Sequence, residues 1–165
     1  MTSLDPAELA RRARISALEM CSRSGASHIG AALSVIDILA TVYAGAADVA
    51  PDRVDDPDRA IVLVSKGHSA SGVYAVLAHA GYFPLDWLDD YYLDGSHLGG
   101  HVTAHGIPGV EGGFNWSSQH PRVSEVASDG DGGLVQEDQR CSRGCAPAVA
   151  CGSGVTAAYA LAGAA

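Results

Sequence analysis

A short apolar run, Ala60–Val64, placed directly before a polar turn, limits the possible folds of this chain more than any other segment. Such a run, rich in β-branched residues, is typical of a strand buried on both faces, as in a parallel sheet. The turn Ser65-Lys66-Gly67-His68 follows at once, and a helix is predicted over 69–80, closed by Gly81. Strand, polar turn and helix place ligands at the carboxyl edge of an α/β sheet. The sequence therefore predicts an α/β fold, with a parallel sheet flanked by helices.

Three more helices are predicted around this unit. Asp5-Pro6 opens the first, because Asp can cap the free amides and Pro suits the first helical position. A second helix is predicted to start at Ser34, with Asp37 three residues later as a capping-box-like pair, and to end at Gly45. A third, short helix is predicted over 84–92. Residues 1–111 are thus expected to form a single α/β unit.

The last part of the chain, residues 112–165, differs in composition from what precedes it. Residues 111–143 have almost no apolar periodicity and predict no clear strand. Residues 146–165 are rich in alanine and glycine, which fits either a helix or simple compositional bias. We therefore expect a boundary near Gly112, followed by a divergent tail.

The overall charge excludes several classes of partner. The formal charge is −9, which disfavours a nucleic-acid or anionic-membrane surface, so an anionic ligand would need locally arranged donors. The N-terminal residues mix acids and arginines without an apolar segment, which predicts no secretory signal. Spanning a bilayer needs about 18 consecutive apolar residues, and we expect no run of that length in this sequence. These features predict a cytoplasmic protein without membrane or nucleic-acid partners.

The candidate functional residues are histidines in glycine- or serine-rich settings beside predicted element ends, namely His28, His68 and His101. Flanking glycines let a ligand approach the backbone closely, and an imidazole can bind phosphate or move protons. The helix N-terminus near Gly67 and His68 would favour an anion, with Lys66 beside it. Taken singly, each histidine is better explained as a capping or surface residue, since loops collect polar side chains. Only the combination points to a site, and spacing alone names no reaction.

Residues 9–111 resemble the start of transketolase, particularly the short form in which the N- and C-terminal halves are separate polypeptides. The matching pieces lie in order along the chain with family-like spacing, and Ser65-Lys-Gly-His68 after a strand is the most specific of them. They are Ser24-Gly-Ala-Ser-His-Ile-Gly-Ala-Ala-Leu-Ser34 with Asp37-Ile-Leu39, Asp58-Arg59, Ser65-Lys-Gly-His68, Tyr74, Leu77, Gly81-Tyr-Phe-Pro84, Gly95-Ser96, Gly99-Gly-His101 and Pro108-Gly-Val-Glu111.

The resemblance implies a thiamine diphosphate-binding fold and the transfer of a two-carbon ketol unit from a ketose phosphate to an aldose. By this resemblance His28 would line the substrate channel near the thiazolium ring, and His101 would contact hydroxyl or carbonyl groups of the sugar. His68, with Lys66 and Gly67 in the same motif, would lie beside the cofactor diphosphate. A divalent metal, usually Mg²⁺, would bridge the diphosphate to protein oxygens.

The sequence departs from the family pattern after Glu111. The family continues with a Ser-Thr-Gly-Ser-Leu-Gly type segment, whereas residues 112–121 are Gly-Gly-Phe-Asn-Trp-Ser-Ser-Gln-His-Pro. Gly130-Asp131-Gly132 is faintly like the family's metal-binding Gly-Asp-Gly, but it comes some twenty residues too early and fits an acidic turn better. Asp131 is therefore a weak candidate metal ligand. This loss of match predicts a truncated gene, a frameshift or a fused segment, and hence a truncated fold.

Three functions follow from these features. The first is a transketolase-type transferase of carbohydrate metabolism, such as the pentose phosphate pathway. In that case a separate C-terminal subunit, in a dimeric or tetrameric assembly, would bring the glutamate that activates the thiamine ring. The second is a non-catalytic remnant without cofactor binding, and the departures after Glu111 favour it. The third is another thiamine-dependent carboligase, such as deoxyxylulose-phosphate synthase.

Overall fold

A computed structural model describes residues 5–56, 58–64, 66–103 and 106–110, together with three short strands further along the chain. Helix α1 (Pro6–Ser24) begins where the Asp5-Pro6 pair predicts, since the Asp5 carboxylate accepts a hydrogen bond from the Ala7 amide at 3.2 Å. It ends at Gly25, whose φ of 65° gives the left-handed conformation that glycine adopts without strain. Both ends of α1 are therefore determined by local sequence.

Helix α2 (Ile29–Thr41) begins five residues before the predicted start at Ser34. Ser34 lies inside the helix, where its hydroxyl donates to the Ala31 carbonyl at 2.8 Å instead of capping an amide. The predicted capping pair with Asp37 is therefore wrong. The residue before α2 is His28, whose carbonyl accepts from the amides of Ala31 and Ala32. A π-helical turn (Val42–Ala46) continues the helix.

The segment Ile29–Ala46 is long and apolar enough to cross a membrane by length and composition, which corrects the prediction that no such run exists. Its apolar face is instead explained by packing against α1 and the core. Ala32, Val35, Ile36, Leu39 and Ala40 are buried there. Asp37 of the same helix is exposed and pairs with Arg14 of α1. This one-sided pattern is typical of a core helix.

Strand β1 (Ile61–Val64) leads through a 3₁₀ turn (Gly67–Ser69) into helix α3 (Ala70–His79), as predicted. All residues of α3 from Ala70 to Ala78 are buried, because α1 and α2 both pack against it. The approach of α2 is close, since a Cβ on Gly72 would lie 2.9 Å from the Ala32 carbonyl oxygen. A 3₁₀ segment (Leu85–Asp90), in the place of the predicted third helix, also packs on α1 and α3. Helix α3 is thus the centre of the described core.

The described strand pairs are antiparallel, so the predicted parallel sheet is not confirmed. Strand β1 pairs with β4 (Ala158–Leu161), and β2 (Val126–Ser128) pairs with β3 (Leu134–Gln136). An apolar run indicates burial, which holds for Ile61 and Val62 at 6% exposure each, but it does not fix the direction of the neighbouring strand. Strands β2 and β3 lie within residues 111–143, where the sequence predicts no clear strand. Strand β4 lies within residues 146–165, for which a helix or compositional bias is predicted.

His79 links α3 to α1 in a way that makes stability depend on pH. Its Nε2 lies 2.9 Å from the Ser16 hydroxyl, and burial, followed by the charge of Arg12, lowers the pKa of His79 below its ordinary 6.5. Because the unfolded chain takes up this proton more readily than the folded one, the stabilisation is complete above 6.5 and is lost as the pH falls through the lower folded pKa.

Acidification from about pH 8 to about pH 5 is therefore expected to lower the Tm of the wild-type chain more than that of His79→Gln, which keeps a polar partner for Ser16 without a titrating ring. Thermal denaturation at a series of pH values measures this. Parallel pH profiles for the two proteins would contradict the assignment to His79.

A three-histidine cluster at two helix N-termini

His28 is held at the start of α2 by an uncommon backbone conformation. Its φ of 75° lies in the left-handed region, which non-glycine residues rarely adopt, although histidine does so more often than most. The amides of Ala31 and Ala32 both donate hydrogen bonds to its carbonyl and hold it at the start of the helix. A non-glycine residue with a left-handed backbone is strained and persists only where the surrounding structure holds it in place. Such residues are found mostly at functional sites. The imidazole is exposed at the helix N-terminus.

His68 is placed by the turn between β1 and α3. Gly67 is buried, so the chain passes close to the core there, while His68 projects as an exposed side chain from the first turn. Ser69 fixes the turn, since its amide and its hydroxyl both donate to the Lys66 carbonyl. The Lys66 ammonium reaches across to α2 and donates to the Ser34 hydroxyl at 2.7 Å. The turn is therefore tied to the same helix that carries His28.

His101 lies on a loop that crosses the end of the core. Leu98 and Val102, which flank His101 along this loop, are buried at 0% and 2% exposure. The His101 side chain itself is exposed. Its carbonyl accepts a hydrogen bond from the Tyr74 hydroxyl at 2.9 Å. The loop is thus anchored on both sides of the histidine, which leaves the imidazole at the surface.

The three imidazoles converge although they are far apart in sequence. The ring centroids of His28 and His68 are 4.4 Å apart, those of His68 and His101 are 5.2 Å apart, and those of His28 and His101 are 6.4 Å apart. The structure therefore brings together the three histidines that the sequence singles out. Lys66 and Gly67 lie beside them on the same turn as His68.

This arrangement fits an anionic, diphosphate-like group. The start of α2 and the turn leading into α3 meet at the cluster, neither has a side-chain cap, and a helix N-terminus carries a partial positive charge. Imidazole N–H groups and the Lys66 ammonium add charge-assisted donors. In a chain with a formal charge of −9, this is the kind of local donor set that binding an anion requires.

No comparable arrangement for a metal occurs in the described residues. Within that part of the chain no three His, Cys, Asp or Glu side chains are grouped so that they could hold a metal ion. The predicted weak ligand Asp131 lies outside the described residues. The metal prediction therefore remains a prediction.

The hydroxyl groups of Ser34 and Tyr74 form hydrogen bonds that support this site, and the sequence alone does not predict either role. The sequence pattern marks Ser34 as a helix cap, but its hydroxyl holds Lys66. Tyr74 is only a point of family resemblance in the sequence, but its hydroxyl holds the His101 loop. A signal for Tyr74 exists, because it is the one tyrosine in the otherwise small and aliphatic central part of α3. A buried tyrosine hydroxyl usually has a hydrogen-bond partner.

Comparison with known proteins agrees with the resemblance. Residues 6–113 match the protein family described as "Transketolase, thiamine diphosphate binding domain". One subunit of an apulose-4-phosphate transketolase from Actinobacillus succinogenes is 43% identical over 100 residues, which make up 61% of this chain and 36% of that protein. A 6-deoxy-6-sulfo-D-fructose transketolase subunit from a Clostridium species is 33% identical over 94 residues, covering 57% of this chain and 34% of that protein.

The corresponding apulose-4-phosphate transketolase subunit from Phocaeicola vulgatus is 32% identical over 94 residues, covering 57% of this chain and 33% of that protein. The matched part of the chain thus spans about a third of the length of these relatives. The family match includes all three clustered histidines and fits an α/β fold. Since it covers well over half of the 165 residues, this protein belongs to the transketolase family, through its thiamine diphosphate-binding domain.

Proposed function

We propose that this chain is the N-terminal, thiamine diphosphate-binding subunit of a cytoplasmic two-subunit transketolase. The observation that carries the proposal is the convergence of His28, His68 and His101 at two helix N-termini inside the family match. Further support comes from relatives that are themselves named as transketolase subunits. A separate C-terminal subunit would complete the site, with a dimeric or tetrameric assembly as the working form.

The proposed roles follow from where each side chain lies. His68, the Gly67 amide and Lys66 would hold the diphosphate, because they supply donors at the N-terminal turn before α3. His28 would face the reacting end of the cofactor, and His101, which lies beside both other rings, would donate to sugar hydroxyl or carbonyl groups. When bound, thiamine diphosphate supplies the carbanion chemistry that moves a two-carbon ketol unit between sugar phosphates.

The proposal includes Mg²⁺ and the larger sheet of the fold. Mg²⁺ prefers oxygen ligands and commonly binds phosphates and carboxylates. Its candidate ligand in this chain is Asp131, on the weak resemblance of Gly130-Asp131-Gly132 to the family's metal-binding motif. The predicted parallel sheet would use the edge of β1 opposite β4, since β4 occupies the other edge with an antiparallel pair.

A second function, a non-catalytic remnant, is favoured by a specific observation. The family match ends at residue 113, and the cofactor-binding segment expected after Glu111 is replaced by unrelated sequence. Translating the other two reading frames of the gene beyond codon 111 tests the frameshift origin of this change. If one frame encodes the missing motif, the frameshift is supported, and if neither does, it is excluded.

An activity assay separates the proposed function from its alternatives. The chain is mixed with a candidate C-terminal transketolase subunit, thiamine diphosphate and Mg²⁺, and two substrate pairs are compared. Two-carbon transfer from xylulose 5-phosphate to ribose 5-phosphate is the expected result. Condensation of pyruvate with glyceraldehyde 3-phosphate instead would indicate a deoxyxylulose-phosphate synthase, and turnover of neither pair, despite complex formation, would support the remnant.

A further inference from the structure

We infer that Tyr74 is a positioning residue that holds His101 in the histidine cluster. This inference deepens the proposed function and rests on it for the role of His101 toward the substrate. Tyr74 lies in the middle of α3, the most buried helix of the described core, and its side chain is 0% exposed. Its hydroxyl nevertheless reaches the loop that carries the histidine.

The Tyr74 hydroxyl bridges the backbone on both sides of residue 102. It donates to the His101 carbonyl oxygen at 2.9 Å and accepts from the Thr103 amide at 3.2 Å. A phenolic hydroxyl has one proton to donate and lone pairs to accept, so both capacities are used here. Burial raises the pKa of Tyr74, which keeps the hydroxyl protonated and able to donate. The two bonds fix the backbone from which the His101 side chain extends.

The other side of the loop is fixed by separate contacts. The Tyr92 amide donates to the Leu98 carbonyl at 2.9 Å, and the Leu98 amide donates to the Ser96 hydroxyl at 3.0 Å. Leu98 and Val102 are themselves buried in the core. Loss of the Tyr74 hydroxyl would therefore remove the two hydrogen bonds to His101 and Thr103 while leaving the loop attached at Leu98. The histidine would be the part that moves.

Position matters for His101 because its ring lies only 5.2 Å from that of His68. A shift of about 1 Å in a positioned group can cost as much as about 100-fold in rate. The Tyr74 hydroxyl bonds to the backbone of His101 and therefore acts on the imidazole through the main chain. A purely structural role would lower stability without changing the distance between the rings.

The test compares Tyr74→Phe with Tyr43→Phe in the full-length chain. Tyr43 is the matched control, since it is also a buried tyrosine whose hydroxyl donates to a loop carbonyl, that of Gly109, at 3.4 Å. The readout is the nuclear Overhauser effect between the ring protons of His68 and His101, measured without any ligand. We expect it in the wild type and in Tyr43→Phe, and we expect it to be lost in Tyr74→Phe.

A measurement on the wild type covers the case in which Tyr74→Phe does not fold. Thr103 is an exposed residue, but its amide donates to the buried Tyr74 hydroxyl, so slow hydrogen exchange of this amide is expected. Exchange at the rate of an unprotected amide would mean that the Tyr74 hydroxyl does not hold this backbone, and it would overturn the inference. Retention of the His68–His101 ring contact in a folded Tyr74→Phe protein, with a Tm lowered as in Tyr43→Phe, overturns it equally.

Cofactor and activity measurements separate this inference from the proposed function. If the two-subunit enzyme is active, Tyr74→Phe is expected to lower kcat/KM about tenfold, with Tyr43→Phe close to wild type. If the wild type binds no thiamine diphosphate, the proposed function fails, but the ligand-free ring contact still decides whether Tyr74 positions His101. The two failures are therefore distinguishable.

Discussion

Gly72→Ala is expected to lower the free energy of unfolding by about 1–3 kcal/mol, because it inserts a methyl group into a well-packed helix contact. The new Cβ would lie 2.9 Å from the carbonyl oxygen of Ala32 and 3.2 Å from its Cα. These are backbone atoms of α2, so no side-chain rotation can make room. Since α3 is buried along its length, the helices must separate locally to relieve the clash.

Gly30→Ala is the matched control for this prediction. Gly30 lies in α2, and a Cβ at this position would meet no described neighbour within 4 Å. Alanine there is therefore expected to be neutral or to stabilise by up to about 1 kcal/mol. Urea denaturation of the two variants measures the difference. Equal stability of Gly72→Ala and Gly30→Ala would contradict the close packing of α2 on α3.

His68→Ala is expected to raise the Kd for thiamine diphosphate by roughly 10- to 100-fold in the presence of Mg²⁺ and the C-terminal subunit. Hydrogen bonds to charged groups contribute about 1.5–3 kcal/mol, and each 1.4 kcal/mol corresponds to a factor of ten. His68 is the central ring of the cluster, within 4.4 Å of His28 and 5.2 Å of His101, measured between ring centroids. Its removal takes a donor from the proposed diphosphate position.

His97→Ala is the control for His68→Ala. His97 is also exposed and lies on the loop before His101, but its ring stacks on Trp87, with 4.2 Å between the ring centroids. Calorimetric titration of both variants is the measurement. We expect His97→Ala to bind like the wild type, and equal weakening by both substitutions would argue against a specific role for His68.

Those parts of the fold that depend on local chemistry are predictable from the sequence. The start of α1 follows from Asp5-Pro6, and the turn from β1 into α3 follows from an apolar run and the polar residues after it. The start of α2 is not predicted correctly, because the Ser34–Asp37 pair imitates a cap, whereas the helix begins at Ile29, after a histidine that makes no side-chain cap. The antiparallel pairing of β1 with β4 depends on residues about 100 positions apart, which periodicity does not report.

The candidate site is predictable in its members but not in its geometry. His28, His68 and His101 stand out through their glycine-rich surroundings, and the family resemblance implies their roles. Their convergence depends on how α2, α3 and the loop before Val102 pack on the core, which no local pattern contains. The supporting role of the Tyr74 hydroxyl is hidden for the same reason, since its partners lie 27 and 29 residues away.

The decisive question is whether the histidine cluster of this chain forms the diphosphate side of a transketolase cofactor site. Calorimetric titration of the intact chain with thiamine diphosphate and Mg²⁺, alone and with a candidate C-terminal subunit, answers it. We expect saturable heat of binding in the presence of the partner, reduced by His68→Ala. Finding no binding heat, either with or without the partner, would contradict the assignment of this cluster to the cofactor site.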